Sequence, residues 1–481
     1  MDGGVHILEA KNKNDLGKDS VGKLIFRLSI PAIAAQIINA LYNMVDRAYI
    51  GHMPENGDMA LTGLGLTFPI IMLISAFSYL IGMGGAPLAA IKMGGGDNKR
   101  AEKILGNCFS ALIIAAVVLT VVFLIFQRPL LMMFGASENT IGYAMDYLTI
   151  YLIGTVFVQI SLGMNSFINT QGFAKTGMLT VAIGAVLNIV LDPIFIFGLE
   201  MGVKGAALAT VISQAVSAVW VLCFLFGKRT ILKIRRKNLW IRWREILLPV
   251  LALGISPFTM QATESLINIV LNANLQIYGG DSAVGAMTII SSAMQIFMLP
   301  LQGLAQGTQP VISFNYGARQ MDRVRRAYKI FLITSLVIST SVWLMIMVIP
   351  QAFIVIFNNK PELMGITVPA IRIFMAAVFM LGAQTCCQQT FVAVGQAKIS
   401  LMLAMLRKVV LLIPLVYLFT RAFGFGLWGI YAAEPVADFL ASCATVTVFA
   451  VFYRKLFRDV PPGNVLISTK EVQEKDSLSK S

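Results

Sequence analysis

Of 481 residues, 57% are hydrophobic and only 13% are charged, and the mean hydropathy is +0.77. Soluble globular chains run closer to half apolar and a quarter charged, so this composition excludes an ordinary soluble domain and makes lipid the expected solvent. The formal charge of +14 resembles a nucleic-acid footprint in size alone. Its distribution along the chain excludes that reading, as shown below.

The first twenty residues are polar and carry no cleavable signal pattern, so the first apolar stretch is expected to remain in the mature protein. About twelve apolar stretches follow one another, at 24–50, 60–88, 103–126, 141–165, 174–198, 202–226, 246–275, 284–311, 327–350, 366–388, 398–420 and 427–452. Each supplies the roughly 20 apolar residues that a helix needs to cross a hydrocarbon core about 30 Å thick. The predicted fold is therefore an all-α membrane protein: a polar tail 1–22, six helices in 23–227, a basic linker 228–245, six helices in 246–456, and a polar, disordered tail 457–481. With the amino terminus inside, the Lys and Arg residues fall on the cytoplasmic side or in the inner halves of helices. The exceptions are Arg47, Arg128, Lys204, Lys360, Arg372 and Arg421. That asymmetry obeys the positive-inside rule, with Lys228, Arg229, Lys233, Arg235, Arg236, Lys237, Arg242 and Arg244 crowding the linker. Both termini are expected in the cytoplasm, the linker is read as a topology signal with anionic-lipid contact, and no nucleic-acid partner is expected.

The chain also repeats itself. Gly63 matches Gly285 at an offset of 222, Gly84 matches Gly307 at 223, and Gly202 matches Gly426 at 224. Pro87 and Pro310, Gly94 or Gly95 and Gly317, Arg100 and Arg323, Gly172 and Gly395, Lys175 and Lys398, and Gly205 and Gly429 fall in the same register. Pro31 and Pro257 pair at 226, which requires a small indel in the first outer loop. Six helices per repeat is an even number, so the halves are parallel and related by an axis along the membrane normal, with a cleft between two bundles.

Within this frame the informative residues are carboxylates in apolar stretches, because an ionised Asp at the bilayer centre costs about 2.5–3.5 kcal/mol. Asp46 and Asp192 each lie about 25–30 Å along their helices from the inner end. Tyr42 and Asn188 precede them by four residues and share their faces. Two carboxylates brought together out of water favour a shared proton or small cation. The bland alternative is that Asp46 pairs with Arg47 or caps a helix end. Glu264, Glu434 and Asp438 form a second acidic set. Asp438 reaches the depth of Arg407 and Lys408, which suggests a buried ion pair, whereas Glu264 shows no evident basic partner and is expected to face the cleft. Pro31, fifteen residues before Asp46, is either a hinge or a static kink. Gln36, Met287, Met294 and Met298 are candidates for the cleft lining, although Met serves packing equally well.

Other chemistry is excluded or unsupported. No G-x-x-x-x-G-K-[ST] occurs, so ATP is not the direct fuel, and the G-x-G-x-x-G formed by Gly424, Gly426 and Gly429 follows no strand. His6 and His52 are the only histidines, so neither a metal site nor a catalytic centre is expected. The five cysteines, Cys108, Cys223, Cys386, Cys387 and Cys443, lie in apolar stretches without C-x-x-C spacing and read as packing residues.

Two runs carry a resemblance. They are Asn43-Met44-Val45-Asp46-Arg47-Ala48-Tyr49-Ile50-Gly51 and, more diagnostic, Leu187-Asn188-Ile189-Val190-Leu191-Asp192-Pro193-Ile194-Phe195-Ile196-Phe197-Gly198. Through them the chain resembles the multidrug and toxic compound extrusion (MATE) family, and most its MepA-like bacterial branch, over about residues 20–455. The resemblance implies a monomeric, secondary active antiporter of the bacterial inner membrane that exports organic cations in exchange for H⁺ or Na⁺, with no other cofactor. It implicates Pro31, Tyr42, Asp46, Asn165, Asn188, Asp192 and Thr210 in ion coupling. Some family members add a cation site from a helix 7 glutamate and a helix 10 aspartate. Glu264 fits the first, but helix 10 here, Phe379-Met380-Leu381-Gly382-Ala383-Gln384-Thr385-Cys386-Cys387, has no acid. A lipid-linked oligosaccharide flippase of the same superfamily is the alternative, and it would want a strongly cationic cleft.

Overall fold

The computed structural model describes residues 15–53, 57–357 and 361–458. His6, Lys360 and most of both polar tails lie outside them. Every regular element among the described residues is helical. We number the membrane helices α1 (Val21–Gly51), α2 (Gly57–Gly94), α3 (Asn98–Met133), α4 (Ile141–Ile153 with Thr155–Thr170), α5 (Ala174–Gly198) and α6 (Gly202–Phe226). The run Leu248–Gly317 breaks at Gly280, whose φ of 62° and ψ of −160° suit a residue without a Cβ. Its part before Gly280 is α7, and α8 is Ser282–Gly317. Then come α9 (Met321–Val348), α10 (Met364–Phe374 with Val378–Ala393), α11 (Ala397–Ala422) and α12 (Gly426–Leu456). Among the described residues ten helices are long and apolar enough to cross a bilayer, and counting each of the two bent pairs as one span brings the number to twelve. The protein is a multi-pass membrane protein.

The two bends were hidden in uninterrupted apolar sequence. At Gly154 of α4 the chain turns by 59° where a Cβ would strike the Val211 side chain of α6. At 375–377 of α10 it turns by 45°, and two groups of α9 take up the nearby carbonyls: Trp343 Nε1 donates to Ala376 O at 2.9 Å, and Ser339 Oγ to Phe379 O at 2.9 Å. A broken helix survives in lipid only where its backbone is re-satisfied in this way.

The repeat is visible in the contacts between halves. A Cβ on Gly94 of α2 would collide with the Phe314 carbonyl of α8, and one on Gly317 of α8 with the Ile91 carbonyl of α2. These are the same contact seen from each half, since 91 and 94 plus 223 are 314 and 317. Gly84 of α2 likewise meets Val250 and Gly254 of α7, while Gly307 of α8 meets Ser29 of α1. The first helix of each half thus leans on the second helix of the other. Its base is tied there as well: Arg323 Nη2 donates to Leu16 O at 3.1 Å and to Asp19 O at 2.7 Å, and Arg100, its repeat partner, pairs with Glu245 at 3.7 Å.

All of these ties lie on the side bearing the basic linker, called here the basic face. Farther along α2 the halves still touch through Phe77 and Phe258, with ring centroids 5.2 Å apart, and through Gln261 and Met72. The linker itself is docked rather than loose. Gln171 Oε1 accepts three bonds of 2.8 Å, from Thr230 Oγ1 and from the amides of Ile231 and Leu232. Asn107, Ser110 and Glu102 of α3 hold Asn238, Leu239, Arg235 and Arg242, and Leu232 and Ile234 are buried. Three cysteines, Cys108, Cys386 and Cys387, pack inside as expected, while Cys223 is exposed.

Candidate functional site

The first-half site is built by α1, α5 and α6, with α4 behind it. Asp46 on α1 is 7% exposed and Asp192 on α5 is fully buried, and their carboxyl groups lie within hydrogen-bonding reach of each other. Asn188, one turn before Asp192, donates from Nδ2 to Asp192 Oδ1 at 3.2 Å and to Thr210 Oγ1 of α6 at 3.3 Å. Tyr42 lies beside both carboxyls. The π-turn Ile194–Gly198, just after Asp192 and Pro193, ends α5. Arg47 forms no ion pair with Asp46: its guanidinium sits 4.8 Å over the Phe68 ring, and among the described residues neither Asp46 nor Asp192 forms an ion pair. The pairing of Asp46 with Arg47, the bland alternative above, is thereby set aside.

Asp46 Oδ1, Asp192 Oδ2 and Asn188 Oδ1 are buried acceptors without a hydrogen-bond partner. Buried acceptors in a low-dielectric site are costly until a donor or cation meets them. Three oxygens of this kind in one cluster suit an added proton or a small hard cation. Beneath them a cavity of about 50 Å³ is lined by Asn39, Ser161, Thr180, Ser213, Gln214 and Ser217, among others. Asn165 also lines it, bonded from Nδ2 to Gly177 O at 3.2 Å. Gly177 is eleven residues before Asn188, about 16 Å along α5. Asn165 therefore stands at the far end of the cavity, away from the carboxyl pair.

Sequence reasoning missed Tyr147 and Tyr151 of α4. The Tyr147 hydroxyl bonds Thr210, and Tyr151 stacks on Tyr147 at 6.2 Å and faces Tyr42. The i, i+4 spacing of two tyrosines in an apolar stretch was the available signal.

The second half is organised differently. Arg407 Nε meets Asp438 Oδ1 at 2.5 Å and its Nη2 meets Glu434 at 3.7 Å, while Lys408 Nζ lies 3.5 Å from Glu434 and 3.6 Å from Glu264. The buried ion pair read from the depths of Asp438 and Arg407 is present. Glu264, however, does have a basic partner, contrary to the reading above; its carboxyl is 57% exposed and forms the open end of the cluster. Two cations facing three carboxylates leave the ionised cluster one negative charge in excess. Met287 also departs from expectation. It is 4% exposed and packs in the second-half core with Leu271 and Ile290 rather than lining a cleft, and Met294 and Met298 pack half-buried against the same core. Gln36 is half-buried on α1, and α1 runs unbroken through the buried Pro31.

The MatE family profile matches residues 31–194 and 258–418, one block in each repeat. The chain belongs to the MatE family. MatE proteins are transporters rather than enzymes, in keeping with the two-lobed helical fold. The chain is 24% identical over 426 residues to the Multidrug export protein MepA of Staphylococcus haemolyticus (strain JCSC1435), covering 88% of this chain and 93% of the relative. Among solved structures it resembles an outward-facing conformation of a multidrug resistance MATE family transporter of the MOP superfamily, with 26% identity and a TM-score of 0.85 over 92% of this chain and 98% of the other. A MATE crystal structure in a bent conformation has a TM-score of 0.86 at 26% identity and the same coverage.

Proposed function

We propose that this chain is a secondary active multidrug exporter of the bacterial cytoplasmic membrane, a monomer with both termini and the basic face toward the cytoplasm. It exchanges amphipathic organic cations for protons entering through the first half. One observation carries the reading: a buried carboxyl pair contributed by two helices which, with Asn188 Oδ1, presents three unpartnered acceptor oxygens and forms no ion pair among the described residues. The acids of the second half each lie beside Arg407 or Lys408, whereas the first-half pair has no basic partner among the described residues, which supports placing the coupling ion in the first half.

Helix α1 supplies the linkage. Its base is fixed to the other half by Arg323 and by the close approach of Ser29 to Gly307 and of Ile33 to Gly303, and its far end carries Asp46 against α5. Pro31 falls between the two close approaches, where the missing backbone hydrogen bond lets the helix bend at low cost. A proton shared by Asp46 and Asp192 holds the far end of α1 against α5. Its loss leaves two like charges repelling across a poorly screened gap, and α1 swings about Pro31. Each net charge carried inward contributes about 2.3 kcal/mol per 100 mV of membrane potential.

The test uses purified protein in liposomes with pH and sodium gradients imposed separately and export of a cationic dye as readout. A pH gradient alone is expected to drive export, and Asp192→Asn to abolish it. Export driven only by sodium would replace the proton with Na⁺. Export by Asp192→Asn at the normal rate would remove the carboxyl pair from the mechanism.

A further inference from the structure

A second concavity lies between α10 and α12, on the opposite side of the second half from its charge cluster. Helix α10 turns by 45° at 375–377, and the side chains that line the concavity there are small, Ala376 on α10 and Ala432 on α12. Phe379, Phe439 and Leu440 continue the groove along the helices. On α12, Glu434 and Asp438 point inward to Arg407, while Phe439 and Leu440, on the other face, are exposed, so the groove opens to lipid rather than to the interior. Its lining is apolar except at one end, where Arg372 stands.

Arg372 breaks the charge asymmetry of the chain, being a cation far from the basic face. Among the described residues it makes no ion pair, unlike Lys204, which pairs with Asp146 at 3.4 Å, or Arg421, which lies 5.2 Å over the Tyr417 ring. From Arg372 to Ala393, near the basic face, is 21 residues, or about 30 Å along the helix before the bend shortens it. That is about the thickness of the hydrocarbon core, so the guanidinium reaches the boundary between acyl chains and headgroups on the opposite side. The apolar groove runs from there back into the hydrocarbon.

A fixed cation at phosphate depth above a channel shaped for hydrocarbon is complementary to one class of molecule. We propose that the groove binds an anionic phospholipid of the leaflet opposite the basic face, its phosphate on Arg372 and one acyl chain along Phe379, Phe439 and Leu440. A cationic substrate is repelled by Arg372, and a free anion gains nothing from apolar walls. The guanidinium presents its donors as a planar fork that takes phosphate oxygens two at a time.

Trp343 reports on the groove, because its ring packs 5.5 Å from that of Phe379 and its Nε1 donates to Ala376 O. The test uses protein with Trp220, Trp240, Trp243 and Trp428 changed to Phe, in phosphatidylcholine vesicles holding a fixed small fraction of brominated phosphatidylglycerol or brominated phosphatidylcholine. The anionic lipid is expected to quench Trp343 with about fivefold preference, the factor one basic residue gives at an anionic lipid surface. Arg372→Gln should abolish the preference and Arg372→Lys should retain most of it. Equal quenching by both lipids, or a preference unchanged in Arg372→Gln, overturns the proposal. So does a disulfide dimer formed through Phe439→Cys in phosphatidylglycerol vesicles, which would assign the groove to a second copy. Native mass spectrometry of the unaltered chain, delipidated and titrated with phosphatidylglycerol, gives the same answer without the tryptophan substitutions: one retained lipid, lost in Arg372→Gln.

Discussion

Adding a single methyl group at Gly94 should open the protein on its basic face. The Cβ of Gly94→Ala collides with the Phe314 carbonyl and comes 2.9 Å from the Ala318 amide nitrogen. Both are backbone atoms at the end of α8, so neither can rotate away and the two helices must part. Overpacking of this kind costs about 1–3 kcal/mol, and the whole cost falls on the form in which α2 and α8 touch. At about 1.4 kcal/mol per tenfold change, the ratio of closed to open molecules on that face falls by roughly 5- to 150-fold. Spin labels on Lys99 and Asp322, exposed repeat equivalents beside α2 and α8, read the separation by double electron–electron resonance. Gly94→Ala is expected to lengthen that distance and slow efflux with expression intact. Gly317→Ala, which makes the symmetry-related collision with Ile91, should do the same. Unchanged distances with normal efflux in either variant would show that this crossing does not hold the face shut.

Three further outcomes are expected. Asp438→Asn leaves Arg407 with Glu434 alone and should lower thermal stability by up to the 3–5 kcal/mol typical of a broken buried pair. Arg407→Met with Asp438→Leu should cost less than either change singly, and a double variant as damaged as the sum would refute the pairing. Gln171→Ala strands the amides of Ile231 and Leu232, at about 1–3 kcal/mol for each one left buried and dry, while the Thr230 hydroxyl keeps Leu232 O, so limited proteolysis of the linker should accelerate well before the protein unfolds. Tyr147→Phe removes the bond to Thr210 without changing the ring, and should shift the pH dependence of efflux while leaving expression and melting temperature near normal; an unaltered profile would place Tyr147 outside the coupling site.

What the chain reveals before folding follows from which features are expensive. Asp46 and Asp192 stood out because a carboxylate in an apolar stretch needs a reason, and the recurrence of nine Gly, Pro and basic positions at offsets of 222–224 stood out because backbones that touch allow nothing larger than Gly. The structure gives Gly84, Gly94, Gly307 and Gly317 that use. The breaks in α4 and α10 were illegible, since an apolar run looks the same straight or bent and the groups that satisfy the bend in α10 lie more than thirty residues away in α9. The partner of Glu264 was hidden for a similar reason: Lys408 arrives from another helix, 144 positions later. Met287 carried no information, because its side chain suits a cleft and a core alike. Gln171 had no local mark at all, its three donors coming from about sixty residues downstream.

The docking of residues 230–242 onto α3 and the end of α4 also fixes the leash between the halves. A peptide that could have served as an eighteen-residue strap is glued down for most of its length, and Arg100 pins Glu245 at its exit. Almost no slack is left. The second half cannot slide away from the first at the linker; it can only tip about the foot of α7, the way a door swings on its lower pin.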